Sequence, residues 1–335
     1  MTRAGVEDRD RARLGRTPAV GALLAAALVL LTGCASLPEP VPHDLDFVGN
    51  VWPSGVRSDP DFAGYWDQLT PENAGKWGSV EAARDRMAWA DLDAAYRTAQ
   101  ELGIPFRYHT LVWGQQQPSW LAGLEPAEQR AEVEEWIALV AGRYPEVDFI
   151  DVVNEPLHAP PVYAEALGGT GDTRWDWVVT VFELARAAFP DAALQLNDYN
   201  VLRDGTATTR YLALIELLRE RGLIDAIGVQ GHSLERVPVE VLAANLDRLA
   251  ETGLPVYVTE LDVAVSDDLR QARRVRELYE LFAAHPAVRG VTFWGYREGM
   301  IWREDAYLLR ADGTPRPALE WLACARRGGR CRLLE

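Results

Sequence analysis

Phe149-Ile-Asp-Val-Val-Asn154-Glu155-Pro156 is the stretch on which the reading of this chain turns. Strand-forming residues run straight into Asn-Glu-Pro, and Pro156 can supply no ladder N–H. The residue before a proline is biased toward an extended backbone. The pattern predicts a strand that stops with one amide and one carboxyl displayed at its tip. A lone Asn-Glu-Pro is a weak signal, because Glu before Pro commonly marks a strand end or a helix start. What sharpens it is a second stretch of the same design further on, Pro255-Val-Tyr-Val-Thr-Glu260-Leu-Asp262.

Outward from these two, apolar strand-like runs alternate with amphipathic stretches. Strands are expected at residues 47–51, 66–69, 105–112, 149–153, 193–196, 226–230, 256–259 and 288–293. Helices are expected at 92–102, 127–143, 175–189, 208–221, 239–252 and 269–284. In the fourth of these, Tyr211, Leu214, Ile215 and Leu218 recur at helical spacing. Several helices hand over to a strand through Gly or Pro, as in Thr252-Gly-Leu-Pro255. Eight strands in this alternation predict one α/β domain, a single (β/α)8 TIM barrel. The doubly wound sheet is the competing topology, but no Gly-rich phosphate loop follows any strand.

Barrel active sites are built where the strands end. The expected tips carry Glu72, Asn73 and Lys76, then His109, Trp113 and Gln116, then Asn154 and Glu155. Asn197 to Asn200, Gln230, His232, Glu260, Asp262, Trp294 and Trp302 complete the rim. Flat indoles stack on sugar rings, and amides, imidazoles and ammonium groups bond hydroxyls. Two carboxyls at strand tips, Glu155 and Glu260, are the minimal equipment for hydrolysing a glycosidic bond.

With 48% hydrophobic and 25% charged residues, the chain can bury a large core. A net charge of −16 argues against nucleic acid or an anionic membrane surface as a partner. Residues 1–33 read as a lipoprotein-type export signal: five Arg precede the apolar run Val20–Leu31, which is too short to span a bilayer. It ends in Leu31-Thr-Gly-Cys34, which resembles a lipobox and would make Cys34 the lipidated first residue. An ordinary secreted protein cut near Ala35 is the alternative. Residues 34–44 form a Pro-rich tether, 45–323 the catalytic barrel and 324–335 a tail in which Cys324 and Cys331 can pair as a structural staple. The expected location is the cell surface, with the membrane reached only through Cys34.

Taken together, the motifs closely resemble the catalytic domain of glycoside hydrolase family 10, the endo-β-1,4-xylanases. They are Thr70-Pro-Glu-Asn-Ala-Gly-Lys-Trp77, His109-Thr-Leu-Val-Trp113, Asp151-Val-Val-Asn-Glu-Pro156, Leu196-Asn-Asp-Tyr-Asn200, Gln230-Gly-His232, Thr259-Glu-Leu-Asp262 and Phe293-Trp-Gly295. Any one is weak; together they stand in the family's order from about Phe47 to Leu322. The resemblance implies Glu155 as general acid/base, Glu260 as nucleophile and Asn154 as the amide bonding the sugar 2-hydroxyl. It implies that His232 bonds the nucleophilic carboxylate and that Glu72, Asn73, Lys76, His109 and Gln116 hold sugars on the non-reducing side. Trp294 and Trp302 would wall the central subsites, with Trp113 and Gln230 also lining the cleft. Gly114 stands where many members have His, which leaves that polar contact either missing or supplied by Gln115.

Lys76 is the only Lys, against 33 Arg. So biased a composition retains an ammonium where a planar guanidinium cannot do the work. Asp198 and Asp262 are read as groups supporting the site, and Asp151 as a brace between strands. His158 and His285 are read as structural or surface residues. Trp52, Trp66, Trp89, Trp120, Trp136, Trp175, Trp177 and Trp321 are read as packing. The sequence thus predicts a monomeric endo-1,4-β-xylanase with a retaining mechanism, needing neither metal nor organic cofactor. A β-1,4-glucanase or mannanase on the same barrel, or a catalytically silent glycan-binding lipoprotein, are the competing readings.

Overall fold

The computed structural model describes residues 45–328 and Cys331; the export signal, the tether and Cys34 lie outside the described residues. Eight parallel strands, β1 (Phe47–Trp52), β2 (Leu69–Pro71), β3 (Arg107–Val112), β4 (Phe149–Asn154), β5 (Ala193–Asp198), β6 (Ala226–Val229), β7 (Val256–Leu261) and β8 (Val288–Phe293), pair in the order β2-β1-β8-β7-β6-β5-β4-β3. A parallel bridge between Leu69 and Phe106, with Leu69 N donating to Pro105 O at 3.0 Å, joins the two ends. The sheet therefore closes into a (β/α)8 barrel.

Around it lie α1 (Phe62–Tyr65), α2 (Trp77–Val80), α3 (Ala90–Leu102), α4 (Pro126–Arg143), α5 (Asp176–Ala188), α6 (Gly205–Glu220), α7 (Val239–Ala250), α8 (Asp268–Ala284) and α9 (Pro317–Arg326). Their ends follow local chemistry. Pro126 opens α4 behind a reciprocal Glu125/Glu128 capping box, and the Asp204 carboxylate caps α6 by accepting from Thr206 N at 2.8 Å. Gly103 closes α3 at φ 64°, a conformation that favours glycine.

Two elements differ from the sequence expectation. The run from Trp66 was expected to be strand, yet Trp66 N closes α1 on Phe62 O at 2.8 Å, the first backbone bond to β1 comes from Asp67, and the strand itself begins at Leu69. The Trp66 indole instead fills space against Phe293 and Tyr296, each with ring centroids 5.4 Å away. Bulk for packing was read as strand propensity. The second is α9, where no helix was expected. Its buried Leu319, Trp321 and Leu322 pack toward α8, where Trp321 meets Tyr279 edge-on at 5.8 Å. The Cys324–Cys331 bond closes the turn beyond it. So short a loop contributes about 2–3 kcal/mol in the chain-entropy account.

Inside the barrel the side chains form tiers. At the strand N-termini Phe47, Phe149 and Tyr257 pack ring on ring, with centroids 5.0–5.6 Å apart. The middle is polar rather than the usual branched aliphatic filling. Gln68 bonds Thr70 and Thr292 there, and Arg107 donates to Thr259 O at 2.6 Å. Above this tier the register slips between His109 and Val112, between Asp151 and Val153, and between Val258 and Leu261. Bulges at barrel rims re-aim side chains next to active sites. Here all three lie directly below the strand tips of interest.

Candidate active site

Glu155 follows β4 and Glu260 lies near the end of β7, both almost fully buried. A chain of amides connects them. Asn197 Nδ2, from β5, donates to Glu260 Oε1 at 2.6 Å and to Asn154 Oδ1 at 3.0 Å. Gln230 Nε2 donates to that same Asn154 oxygen at 3.2 Å and to Glu155 Oε1 at 3.3 Å. Thr259 Oγ1 in turn donates to Asn197 Oδ1, which fixes the orientation of that amide. The two carboxyls thus share one hydrogen-bonded cluster at one mouth of the barrel.

The backbone at Glu155 departs from the extended conformation expected before Pro156. Its φ is +55°, where a residue with a long side chain is strained. Contacts hold it there. Glu155 N donates to Asn197 O at 2.7 Å, and Glu155 O accepts from His158 N and Ala159 N at 3.0 and 2.8 Å. Asp198 fixes the next turn by accepting from Leu157 N at 2.9 Å and bonding His158 Nδ1 at 2.7 Å. His158, expected to be structural or surface, therefore braces the segment that aims Glu155. Trp113 Nε1 donates to Glu155 Oε2 at 3.0 Å, and Gln115 Nε2 approaches the same oxygen at 3.4 Å. Gly114 between them cannot carry a side chain, because a Cβ would meet Ala159 O at 2.4 Å.

The two carboxyls are driven in opposite directions. Burial raises the Glu155 pKa, with the charges of Glu260 and Asp198 adding to it against hydrogen bonds from Gln230 and Trp113. Burial also opposes ionisation of Glu260. There it is overcome by the His232 hydrogen bond and by the positive fields of His109, His232 and Arg107, which bring Glu260 down to about 2. His232 bridges Glu260 Oε2 at 3.0 Å and Asp262 Oδ2 at 2.6 Å. Burial would strip its proton, but these two carboxylates raise it to about 9. A charged imidazolium is thus held against one face of Glu260. Asp262 is held in its turn by the Trp302 indole N–H at 3.0 Å and by Arg303.

The remaining rim residues fall into two groups. Lys76 Nζ donates to Gln116 Oε1 at 2.6 Å and Asn73 Oδ1 at 2.8 Å, and lies 4.7 Å from the Trp113 ring centre. Burial pulls Lys76 down to about 8 against the pull of Glu260, Glu72 and Glu155. The Glu72 carboxyl is raised by burial, with Lys76 opposing and Glu260 reinforcing the shift. In the second group, His109 is pinned by Asp151 at 2.7 Å and stands edge-on to the buried Trp294 at 5.1 Å. Trp302 is 57% exposed, its ring edge-on to His232 at 4.9 Å. An exposed flat indole beside a carboxylate pair is available for a sugar face. The rim residues named here, from Glu72 and Lys76 through Glu155 and Glu260 to Trp302, all come from strand tips or the loops after them at this one mouth. Cys34 lies outside the described residues.

Several contributors escaped the sequence reading. Asn197 stood at a strand tip but was given no role, although it bonds the carboxylate itself. Arg107, wholly buried beneath Glu260, carried one signal: a charged residue at the start of an apolar strand. Its ion pair with Asp151 at 3.7 Å and the Gln195–Asp151 bond fix the layer under the carboxylates.

Hydrolysis of a glycosidic bond is what such a carboxyl pair on a barrel mouth defines as a class, and the comparisons agree. Residues 55–325 match glycosyl hydrolase family 10, and the chain belongs to that family. An endo-1,4-beta-xylanase B of Cellvibrio japonicus is 41% identical over 281 residues, covering 82% of this chain and 45% of that protein. The chain thus spans less than half of that relative. An endo-1,4-beta-xylanase B of Thermotoga neapolitana is 30% identical over 317 residues, covering 83% of this chain and 88% of that one. Among solved structures, xylanase 10B from Thermotoga petrophila in complex with xylobiose superposes with a TM-score of 0.71 at 26% identity, over 86% of this chain and 93% of that one.

Proposed function

We propose that the protein is an endo-1,4-β-xylanase that cleaves internal linkages of xylan with retention of anomeric configuration. The observation that carries the proposal is the shared amide cluster with its divided ionisation: Glu260 held as carboxylate, Glu155 pushed toward its acid form. Such a division separates a nucleophile from a proton donor. Glu260 would attack the anomeric carbon while Glu155 protonates the departing oxygen. Glu155 would then act as base toward water, releasing the sugar from Glu260. Asn154, whose Oδ1 is occupied by Asn197 and Gln230, has its amide NH2 free to meet the sugar 2-hydroxyl. The names of the family relatives support xylan over glucan or mannan.

The test is a product profile on xylan, glucan and mannan panels with the anomeric proton followed by NMR. Internal cutting of xylan with initial β product is expected; a preference for glucan or mannan, or initial α product, would remove the assignment.

The pH dependence follows from the same division. Activity needs Glu260 charged and Glu155 protonated, so kcat/KM is expected to be bell-shaped. Glu260 loses its proton near 2, which puts the acid limb well below neutral. The basic limb, where Glu155 ionises, should lie above the ordinary Glu value of about 4.3. Both limbs belong to the coupled pair rather than to either residue. A profile flat from pH 4 to 9 (roughly the span across which an acid of this kind must titrate) would be incompatible with the proton-donor role.

We infer further that Cys34 carries a lipid that tethers the enzyme to a membrane, on the strength of the Leu31-Thr-Gly-Cys34 signature and the apolar run before it. Incorporation of labelled fatty acid by the wild type and its loss in Cys34→Ser is the expected result. Equal labelling would put the lipid on another residue, and none in either would leave an ordinary secreted protein; both outcomes remove Cys34.

A further inference from the structure

Beside the carboxylate cluster, under the loops that follow β6, β7 and β8, lies a cavity of about 530 Å³. That is within the range of about 300–1,000 Å³ typical of small-molecule sites. Four arginines line it, Arg236, Arg270, Arg274 and Arg303, against two acids, Glu235 and Asp305, in a chain whose net charge is −16. A local positive surplus on so acidic a protein is contrary to what chance placement gives.

The four guanidinium groups are not equivalent. Arg303 is engaged by Asp262 and Glu235, and Arg274 by the carbonyls of Leu234 and Val237 and by Glu277. These two build the wall. Glu235 is occupied as well, accepting from Ala264 N at 2.9 Å and from Arg303 at 2.8 Å. Arg236 and Arg270 are exposed, and their side chains make no hydrogen bond or ion pair among the described residues. Asp268, the nearest acid in sequence to Arg270, is engaged by Arg310 and Arg316, and Asp267 accepts from the backbone N of Arg270 as the α8 cap.

The cavity also adjoins the cleft. Ser233 on its rim follows His232, Ala264 lies two residues beyond Asp262, and Arg303 follows Trp302 and bonds the same Asp262 that holds His232. A polymer lying across Glu155 and Glu260 would therefore pass the mouth of a pocket offering two unengaged guanidinium forks. Planar forks of this kind recognise carboxylates in two-pronged fashion.

We propose that this pocket receives the carboxylate of a hexuronic acid branch carried by the substrate, so that the enzyme prefers acidic xylans. The proposal rests on the xylanase reading above. It names a specificity determinant and leaves the chemistry of cleavage untouched.

The test compares one polymer with and without its charge: uronic acid-substituted xylan, and the same xylan after carboxyl reduction, which leaves the branch sugar in place. Wild-type kcat/KM should be about tenfold higher on the acidic polymer, the scale of a charge-assisted pair, and the difference should shrink as salt is raised. Arg236→Gln/Arg270→Gln should abolish the preference while leaving kcat/KM on the reduced polymer unchanged, which also shows that the variant is folded. Arg236→Lys/Arg270→Lys should retain part of it. No wild-type preference, or a preference that survives the Gln pair, overturns the proposal. So does a site that binds free phosphate or free glucuronate in a titration yet makes no distinction between the two polymers. If neither polymer is hydrolysed, the xylanase reading falls by itself. The pocket is then read by affinity electrophoresis, where retardation by the acidic polymer alone, lost in the Gln pair, upholds it and equal migration refutes it.

Discussion

Glu260→Ala is expected to lower kcat/KM on xylan by about 10⁵-fold, the scale seen when a nucleophile is removed outright. The structure explains why nothing nearby can substitute. Among the described residues, His232 and Asn197 each bond one oxygen of Glu260, so both are set for a carboxylate at that one position. Truncation should leave a small gap lined by the His232 imidazolium and the Asn197 amide, both of which formerly faced a carboxylate. A small anion fits that gap in charge as well as in size. Azide or formate should therefore restore turnover on an activated aryl xyloside, and azide should enter from the face Glu260 occupied, opposite the leaving group. The glycosyl azide isolated should be the α anomer. Failure of every anion to rescue, with the variant shown to be folded, would assign the nucleophile elsewhere.

The barrel was legible because its evidence is repeated: eight short apolar runs, each followed by polar residues, give the same answer eight times. Glu155 and Glu260 were legible because each interrupts a strong strand pattern with a carboxyl at its end. Trp66 was misjudged for the opposite reason, since a bulky aromatic suits a strand and a packing position beside the barrel equally and nothing local decides between them. The conformation of Glu155 could not be read at all. A proline alone biases it toward extension, and the bonds that hold it at positive φ include one from Glu155 N to Asn197 O, a partner far along the chain that no local pattern announces. Asn197 itself shows the same limit. Its residue type was visible at a tip, but its double contact to Asn154 and Glu260 arises from neighbouring strands whose register slips by bulges.

The polar middle tier illustrates how far the site extends below its visible rim. Arg107 is buried with no water-facing surface, and two of its nitrogens have no hydrogen-bond partner among the described residues. A charge left so incompletely bonded is costly unless another charge uses its field. Glu260, above it, does: Arg107 is one of the positive groups that hold that carboxylate ionised. Stability given up in the barrel interior thus reappears as a carboxylate held ionised at the barrel mouth, a trade common at functional sites.

Glu155→Ala should behave differently from the Glu260 variant, and the contrast is the strongest test of the pair. Loss of the proton donor matters in proportion to how badly the leaving oxygen needs a proton. On xylo-oligosaccharides kcat/KM should fall by about 10³-fold, within the usual contribution of general acid catalysis. On a dinitrophenyl xylobioside, whose phenolate departs unassisted, the first step should be nearly unaffected. Water would then have no base to activate it, so the sugar should accumulate on Glu260 after a burst of phenolate. Trp113, Gln115 and Gln230, which donate to Glu155 in the wild type, would line the gap left at its position on the leaving-group side, a lining of N–H donors suited to an anion. Azide entering there attacks the accumulated glycosyl-enzyme from the face opposite Glu260 and should yield the β azide. The two variants are therefore expected to give opposite anomers from one reagent, because in the proposed mechanism the missing carboxyls act from opposite faces of the same carbon. The same anomer from both, or equal losses on good and poor leaving groups, would take the acid/base role away from Glu155.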